Sequence, residues 1–237
     1  MFVVCSLPRT GSEAVMKAFA AAGKTICKSE PFGHTQHRLF RNKMNINAYD
    51  HVGLAKKLFK EYDGFKIIVH TTMQLREICD ENNAGLILIR RNDYLATLAS
   101  LIIFTNQNDD RYYEAGPPTQ RGYNWQTSDS YETWTSTSRK TVYDPNEASW
   151  LNSQINKIFY ANYLIDNIFP TYSNYVTTIN YENPAPGLKD LKEYFGMEIP
   201  LMLAPSRPLS DYFVNHEEFK SDIEDRIKNE INSVQDN

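Results

Sequence analysis

The stretch that most constrains this chain is its beginning, FVVCSLPRTGSEAVMKAFAAAG, residues 2–23. Phe2, Val3, Val4 and Cys5 form a short apolar run of the kind that makes a parallel strand buried on both faces. Ser6 to Gly11 is built largely from Ser, Pro, Thr and Gly, the residues that turn chains. From Ser12 onward Ala14, Val15, Ala18, Phe19 and Ala22 fall at helical spacing, and Gly23 closes the run as a C-cap glycine does. Ser12 is the expected N-cap, with Glu13 placed in the first turn where a negative side chain suits the helix dipole. A strand feeding a tight loop and then a helix N-terminus is a natural anion cradle, because unpaired amide N–H groups and the positive dipole end converge there. Arg9 lies inside that loop and can fork onto a phosphate or a sulfate.

The remainder of the first hundred residues repeats strand and helix. Thr25 to Cys27 reads as a short strand and Tyr49 to Tyr62 as an amphipathic helix, with Val52, Leu54, Ala55, Leu58 and Phe59 on one side. Phe65 to His70, FKIIVH, and Leu86 to Ile89 are further buried-strand candidates, the latter ending in Arg90-Arg91. Met73 to Asn83 and Tyr94 to Phe104 read as helices, the second capped by Asn92-Asp93 and apolar nearly all round. Alternation with short connections signals a doubly wound parallel sheet, whose ligands sit beyond the carboxyl ends of the strands. The PRTGS loop, Glu30, His70 and Arg90-Arg91 all fall at such ends. Residues 105–146 interrupt the pattern with a polar, aromatic-bearing segment, the composition of an inserted functional loop. A helix over 146–167, with Trp150, Ile155, Ile158, Phe159, Tyr163 and Leu164 expected in the core, then leads to a last strand, Tyr175 to Tyr181. A short helix runs to Phe195, and a tail from about residue 205 ends in a helix over 217–231. The whole, 1–237, reads as one domain.

A chain of 237 residues can bury a full core. Its net charge of −4 argues against broad binding to nucleic acid or to anionic membrane. Three cysteines with no C-x-x-C spacing suggest neither a disulfide framework nor a zinc site, and His34-Thr-Gln-His37 lacks a third ligand. Met1 leads directly into the first strand, which leaves no room for a signal peptide, and no apolar run approaches spanning length, so a cytoplasmic setting is expected.

The loop is not an ordinary nucleotide loop. No Lys follows Gly11, as the Walker pattern requires, and only one glycine of the dinucleotide fingerprint is present. PRTGS instead resembles the 5′-phosphosulfate loop of sulfotransferases that use 3′-phosphoadenosine 5′-phosphosulfate (PAPS), typically PR[ST]G[ST] after the first strand. LILIRRNDYLATLAS resembles the second signature of that superfamily, a strand ending in Arg with a Ser about two helical turns later, both on the 3′-phosphate. The usual spacing is seven residues, whereas eight separate Arg91 from Ser100, which leaves Arg90 or Arg91 for the guanidinium and Ser100 or Thr97 for the hydroxyl. NYVTTINYENPAPGLKDLKEYFG resembles the late strand, Tyr-Glu and helix of the superfamily, with Tyr181 and Glu182 read as mainly structural.

The resemblance implies a P-loop-like three-layer α/β fold, a central parallel sheet flanked by helices, of the compact bacterial, phage or tyrosylprotein type. It implies PAPS as co-substrate, PAP as product, and Arg9, Thr10, Gly11, Ser12, Arg90, Arg91 and Ser100 as cofactor-binding residues. No metal is required. In the tyrosylprotein and bacterial branches a Glu shortly after the second strand takes the acceptor proton, and Glu30 in KSEPF matches it. His70 is the second candidate base, although the Lys-x-His of steroid-type enzymes is missing, and His34 the third. Arg9 joins them in the catalytic set as a stabiliser of the leaving phosphate. The acceptor is a hydroxyl on a small molecule, carbohydrate or peptide, and a homodimer is left open. The competing readings are a P-loop phosphotransferase and a non-catalytic relative that binds PAP or a glycan.

Overall fold

The computed structural model describes residues 1–27, 31–32, 50–69, 74–107, 142–145, 150–201, 203 and 208–235. The chain separates into two compact units, Met1–Asn92 with Asn156–Pro205 and Asp93–Ile155 with Ser206–Asn237.

The first unit is an α/β fold on an all-parallel sheet of four strands. β1 (Phe2–Ser6), β2 (Gly64–Ile68), β3 (Gly85–Arg90) and β4 (Tyr175–Asn180) lie side by side in the order β2-β1-β3-β4. β1 is fully buried between β2 and β3, with Val4 opposite Lys66 on one side and Ile87 on the other. The near-continuous apolar runs of β1 and β3 follow from burial on both faces. Residues opposite each other in register share a face, and successive residues alternate. One face therefore carries Phe2, Val4, Ile87, Ile89 and Ile179, which pack on Val15, Met16 and Phe19 of α1 (Ser12–Ala21) and Leu191 of α6 (Ala185–Phe195). Phe2, Phe19 and Phe195 form a ring cluster there, with centroids 4.2 to 5.4 Å apart. The opposite face carries Phe65, whose ring meets those of Phe32 and Phe59 at 5.4 and 4.7 Å. α2 (His51–Leu58) and α3 (Leu75–Asn82) pack against each other and bury Leu54, Leu58, Ile78 and Cys79. Asp50 caps α2 by accepting from Gly53 N at 2.7 Å.

The second unit holds α4 (Tyr94–Gln107) and α7 (His216–Gln235). Asp93 caps α4, its Oδ1 accepting from Ala96 N at 2.9 Å, as expected for the Asn92-Asp93 pair. Tyr143, Phe213 and Phe219 stack ring against ring with centroids 4.7 to 5.8 Å apart. Asp222 on α7 accepts from Tyr143 Oη at 2.5 Å and from Arg226 Nε at 2.6 Å, while Arg226 also donates to Asn152 Oδ1 and Pro145 O.

Several expectations change in detail. Residues 25–27 make no strand beyond one parallel bridge, Ile26 to Gly64, because their hydrogen bonds go to the turn at Asp63 as well as to Gly64. The helix expected over 146–167 is α5 (Leu151–Tyr163), continued by a widened turn, Leu164–Ile168, and a tight one, Phe169–Thr171. Phe159 and Tyr163, expected in the core, are 43% and 54% exposed. At about 100° per residue, Leu151, Ile155, Ile158, Ala161 and Ile165 fall in one stripe and Phe159 and Tyr163 drift off it. Among the described residues no helix is long and apolar enough to cross a membrane.

Candidate functional site

The order β2-β1-β3 contains a switch point, because the chain leaves β1 toward β2 and then returns to β3 on the other side. Open α/β sheets bind ligands at such points, beyond the strand ends. The loop after β1 and the residues after β3 meet here, since Ser6 pairs with Ile89.

The loop has the backbone of an anion nest. Arg9 has φ +64° and Gly11 φ +88°, with Thr10 between them on the ordinary negative side. Alternating handedness turns successive amide N–H groups toward one concavity. A non-glycine residue at positive φ is uncommon and costs energy, so something must hold Arg9 there. Three contacts do so. Thr10, 1% exposed, donates Oγ1–H to Leu7 O at 2.7 Å and closes the turn from within. Arg91, 7% exposed, donates from Nη1 to Arg9 O at 2.9 Å. The Arg91 guanidinium also lies over the Tyr181 ring, 4.5 Å from its centroid, and that ring lies against Gly11.

Gly11, and not Ser12, is the N-cap of α1, and no side chain caps this end. The correction has a physical reason: the left-handed φ at Gly11 starts the helix one residue early, and Ser12 becomes its first residue, buried. The first intrahelical bond runs from Val15 N to Gly11 O at 3.2 Å, so the amides of Ser12, Glu13 and Ala14 have no carbonyl one turn back. Donors left open at a helix start, at the dipole's positive end, next to a nest, form a site for an anionic oxygen cluster.

Neither a family model nor a curated protein matches the chain. The chemistry therefore rests on the residues themselves.

Arg90 and Arg91 part company. Alternation along β3 puts Arg90 on the sheet face opposite α1, where its Nε donates to Asp166 Oδ1 at 3.1 Å and its Nη1 to Arg91 O at 2.8 Å. Arg90 and Asp166 border an open groove of about 380 Å³, shared with Asn92, Tyr175, Thr178 and Asn180. Arg91 belongs to the loop. Glu182 accepts from Asn92 N at 3.0 Å and Asn180 Oδ1 from Glu182 N at 2.9 Å, which fastens the end of β4 to the end of β3. Tyr181 and Glu182 thus brace the site, a role that the Tyr-Glu pair signals in the sequence without the identity of what it braces.

Ser100 and Thr97 are buried on α4 in the second unit, and Thr97 Oγ1 donates to Asp93 O at 2.9 Å. Glu30, His34 and His70 lie outside the described residues. The groove beside Arg90 has no counterpart among the sequence motifs. Asp166 comes from 76 residues away in sequence, beyond any local pattern.

Proposed function

We propose that this chain is a sulfotransferase that moves the sulfuryl group of PAPS to a hydroxyl acceptor. The observation that carries the reading is the handedness alternation at Arg9–Gly11 opening directly into the uncapped start of α1. A loop of this form suits a phosphosulfate, because many weak amide donors can follow charge that shifts from sulfur toward the leaving phosphate oxygen. No lysine follows Gly11, which argues against a nucleoside triphosphate as phosphoryl donor.

In the reaction the acceptor oxygen forms a bond to sulfur as the sulfur–oxygen bond to the 5′-phosphate breaks, and the acceptor proton passes to a base. Positioning and electrostatic stabilisation supply most of the acceleration in the related phosphoryl transfers, and the same holds here. Arg9 and the amides of Gly11 and Ser12 stabilise the leaving phosphate, Glu30 takes the proton with His70 as the second candidate, and Arg90 offers a guanidinium for the 3′-phosphate. The acceptor is a small molecule, a carbohydrate or a peptide, and the setting is cytoplasmic.

Titration calorimetry with PAP, and with ATP and magnesium as the contrast, tests the reading. PAP is expected to bind and ATP with magnesium to bind at least tenfold more weakly; the reverse order overturns the assignment in favour of phosphotransfer. Glu30→Gln is expected to keep PAP binding within about twofold and to lose at least a hundredfold in turnover, in keeping with general-base catalysis. Unchanged turnover removes Glu30 from the mechanism.

A further inference from the structure

Resting on the phosphosulfate-loop reading, we propose that Arg91 and Tyr181 act as a strut that sets the loop in its anion-binding shape, and that Arg91 is a positioning residue and no direct ligand of the 3′-phosphate. The sequence offers Arg90 and Arg91 as equals for that phosphate, but their surroundings differ. Arg91 sends Nη1 to the carbonyl oxygen of Arg9, the residue held at φ +64°. Its guanidinium carbon lies over the Tyr181 ring, 4.5 Å from the centroid. The same ring lies so close to Gly11 that a Cβ built there would stand 2.8 Å from Cδ2 and from Cε2. The stacked pair therefore reaches both left-handed residues of the nest, Arg91 by a hydrogen bond to Arg9 and Tyr181 by its ring against Gly11.

The geometry pairs an arginine with an aromatic ring. A planar guanidinium can stack on a ring and still donate in its own plane, which an ammonium cannot do. Arg91 is almost fully buried, so solvent screens its charge from the loop only weakly. Its bond to the Arg9 carbonyl fixes the peptide between Arg9 and Thr10, in the middle of the nest. Tyr181 is itself held in place by its N–H donating to Arg90 O at 2.8 Å, so the strut is anchored in the β3–β4 ladder. Losing the strut lets Arg9 relax toward negative φ and scatters the donors, at equal cost to every anion the loop holds.

Equal cost across anions is what separates a strut from a ligand. The experiment titrates inorganic pyrophosphate and PAP into the full chain and into Arg91→Lys, Tyr181→Leu and Tyr181→Phe, with amide hydrogen exchange followed for residues 7–14. For Arg91→Lys and Tyr181→Leu, affinity for both anions is expected to fall by the same factor, about tenfold. The loop amides are expected to exchange at least tenfold faster while those of β1 hold steady, and Tyr181→Phe, which keeps the ring, is expected to stay within twofold of the parent. A loss confined to PAP in Arg91→Lys overturns the proposal and makes Arg91 a ligand of the 3′-phosphate. Unchanged loop exchange in both Arg91→Lys and Tyr181→Leu overturns it as well. A parent that binds pyrophosphate and not PAP overturns the sulfotransferase reading alone, because the strut is still judged on the pyrophosphate and exchange results. A general loss of fold in Tyr181→Leu shows as faster exchange in β1 too, in which case Arg91→Lys decides.

Discussion

Replacing Gly11 by alanine tests the packing of the loop directly, and its cost can be worked from two terms. An L-residue forced into left-handed backbone costs about 1–2 kcal/mol, and Gly11 sits at φ +88°. The new methyl would lie 2.8 Å from two carbons of the Tyr181 ring and 3.2 Å from Leu203 Cδ2. Carbon pairs are comfortable at about 3.5–4.0 Å, so the ring must give way, and overpacking of this kind costs about 1–3 kcal/mol. The sum is about 2–5 kcal/mol. Gly23 supplies the control, because it has φ +85° and a Cβ there would meet nothing within 4 Å. Gly23→Ala should therefore carry the backbone term alone, about 1–2 kcal/mol. The difference between the two variants isolates the Tyr181 contact. All three tryptophans, Trp125, Trp134 and Trp150, fall within the sequence of the second unit. Urea unfolding is accordingly followed by far-ultraviolet circular dichroism, with the slope checked to be unchanged so that midpoint shifts report stability. Adding Tyr181→Leu to Gly11→Ala should recover part of the excess, since contacting sites couple. Gly11→Ala no more destabilising than Gly23→Ala would refute the reasoning, for it would mean that no ring covers the loop.

Two further outcomes follow from ionisable groups whose protons are held by burial. Burial, together with the hydrogen bond to Asp222, pushes the Tyr143 phenol above its ordinary value. A raised folded-state pKa gives stability that is complete below the unfolded pKa of about 10 and is lost as pH climbs through the folded value, so urea midpoints of the second unit should fall from about pH 10 upward and Tyr143→Phe should flatten that slope. Burial likewise raises the Cys5 thiol and takes that of Cys79 up to about 12; in the native protein at pH 8 both should resist a disulfide reagent and react only on unfolding, as peptide mapping of the modified cysteines would show, and rapid native labelling of either would contradict their burial.

How far the fold could be read from the sequence depended on the range of the forces involved. β1, the loop and α1 were legible because each is set by local pattern: an apolar run, turn residues, then helical spacing. β3 and β4 were legible for the same reason. Ser12 has the better capping side chain, but the backbone turns left-handed at Gly11, close to the Tyr181 ring, and the cap falls there. The buried face of α5 is set by phase and not by size: Phe159 and Tyr163 are large and apolar yet sit off the stripe that Ile155, Ile158 and Ile165 define. Asp166 pairing with Arg90 was beyond local pattern altogether, since 76 residues separate them.

The split between Arg90 and Arg91 follows from the pleat. Two consecutive residues at a strand end leave the sheet on opposite sides, so a pair of arginines there takes up two different tasks. One is taken up by whatever lies above the neighbouring strand, here the loop after β1, and the other faces whatever lies below, here Asp166 and the groove. A loop that lacks a lysine and has Arg9 as its own cation gains a second one from the strand next to β1, a rigid support. Arg91, buried and joined to the Arg9 carbonyl, places a fixed cation directly behind the nest. A charge fixed in advance beside open amides needs little reorganisation when an anion arrives. A loop with one guanidinium of its own and a second behind it can thus attract an anion in a protein whose net charge is −4.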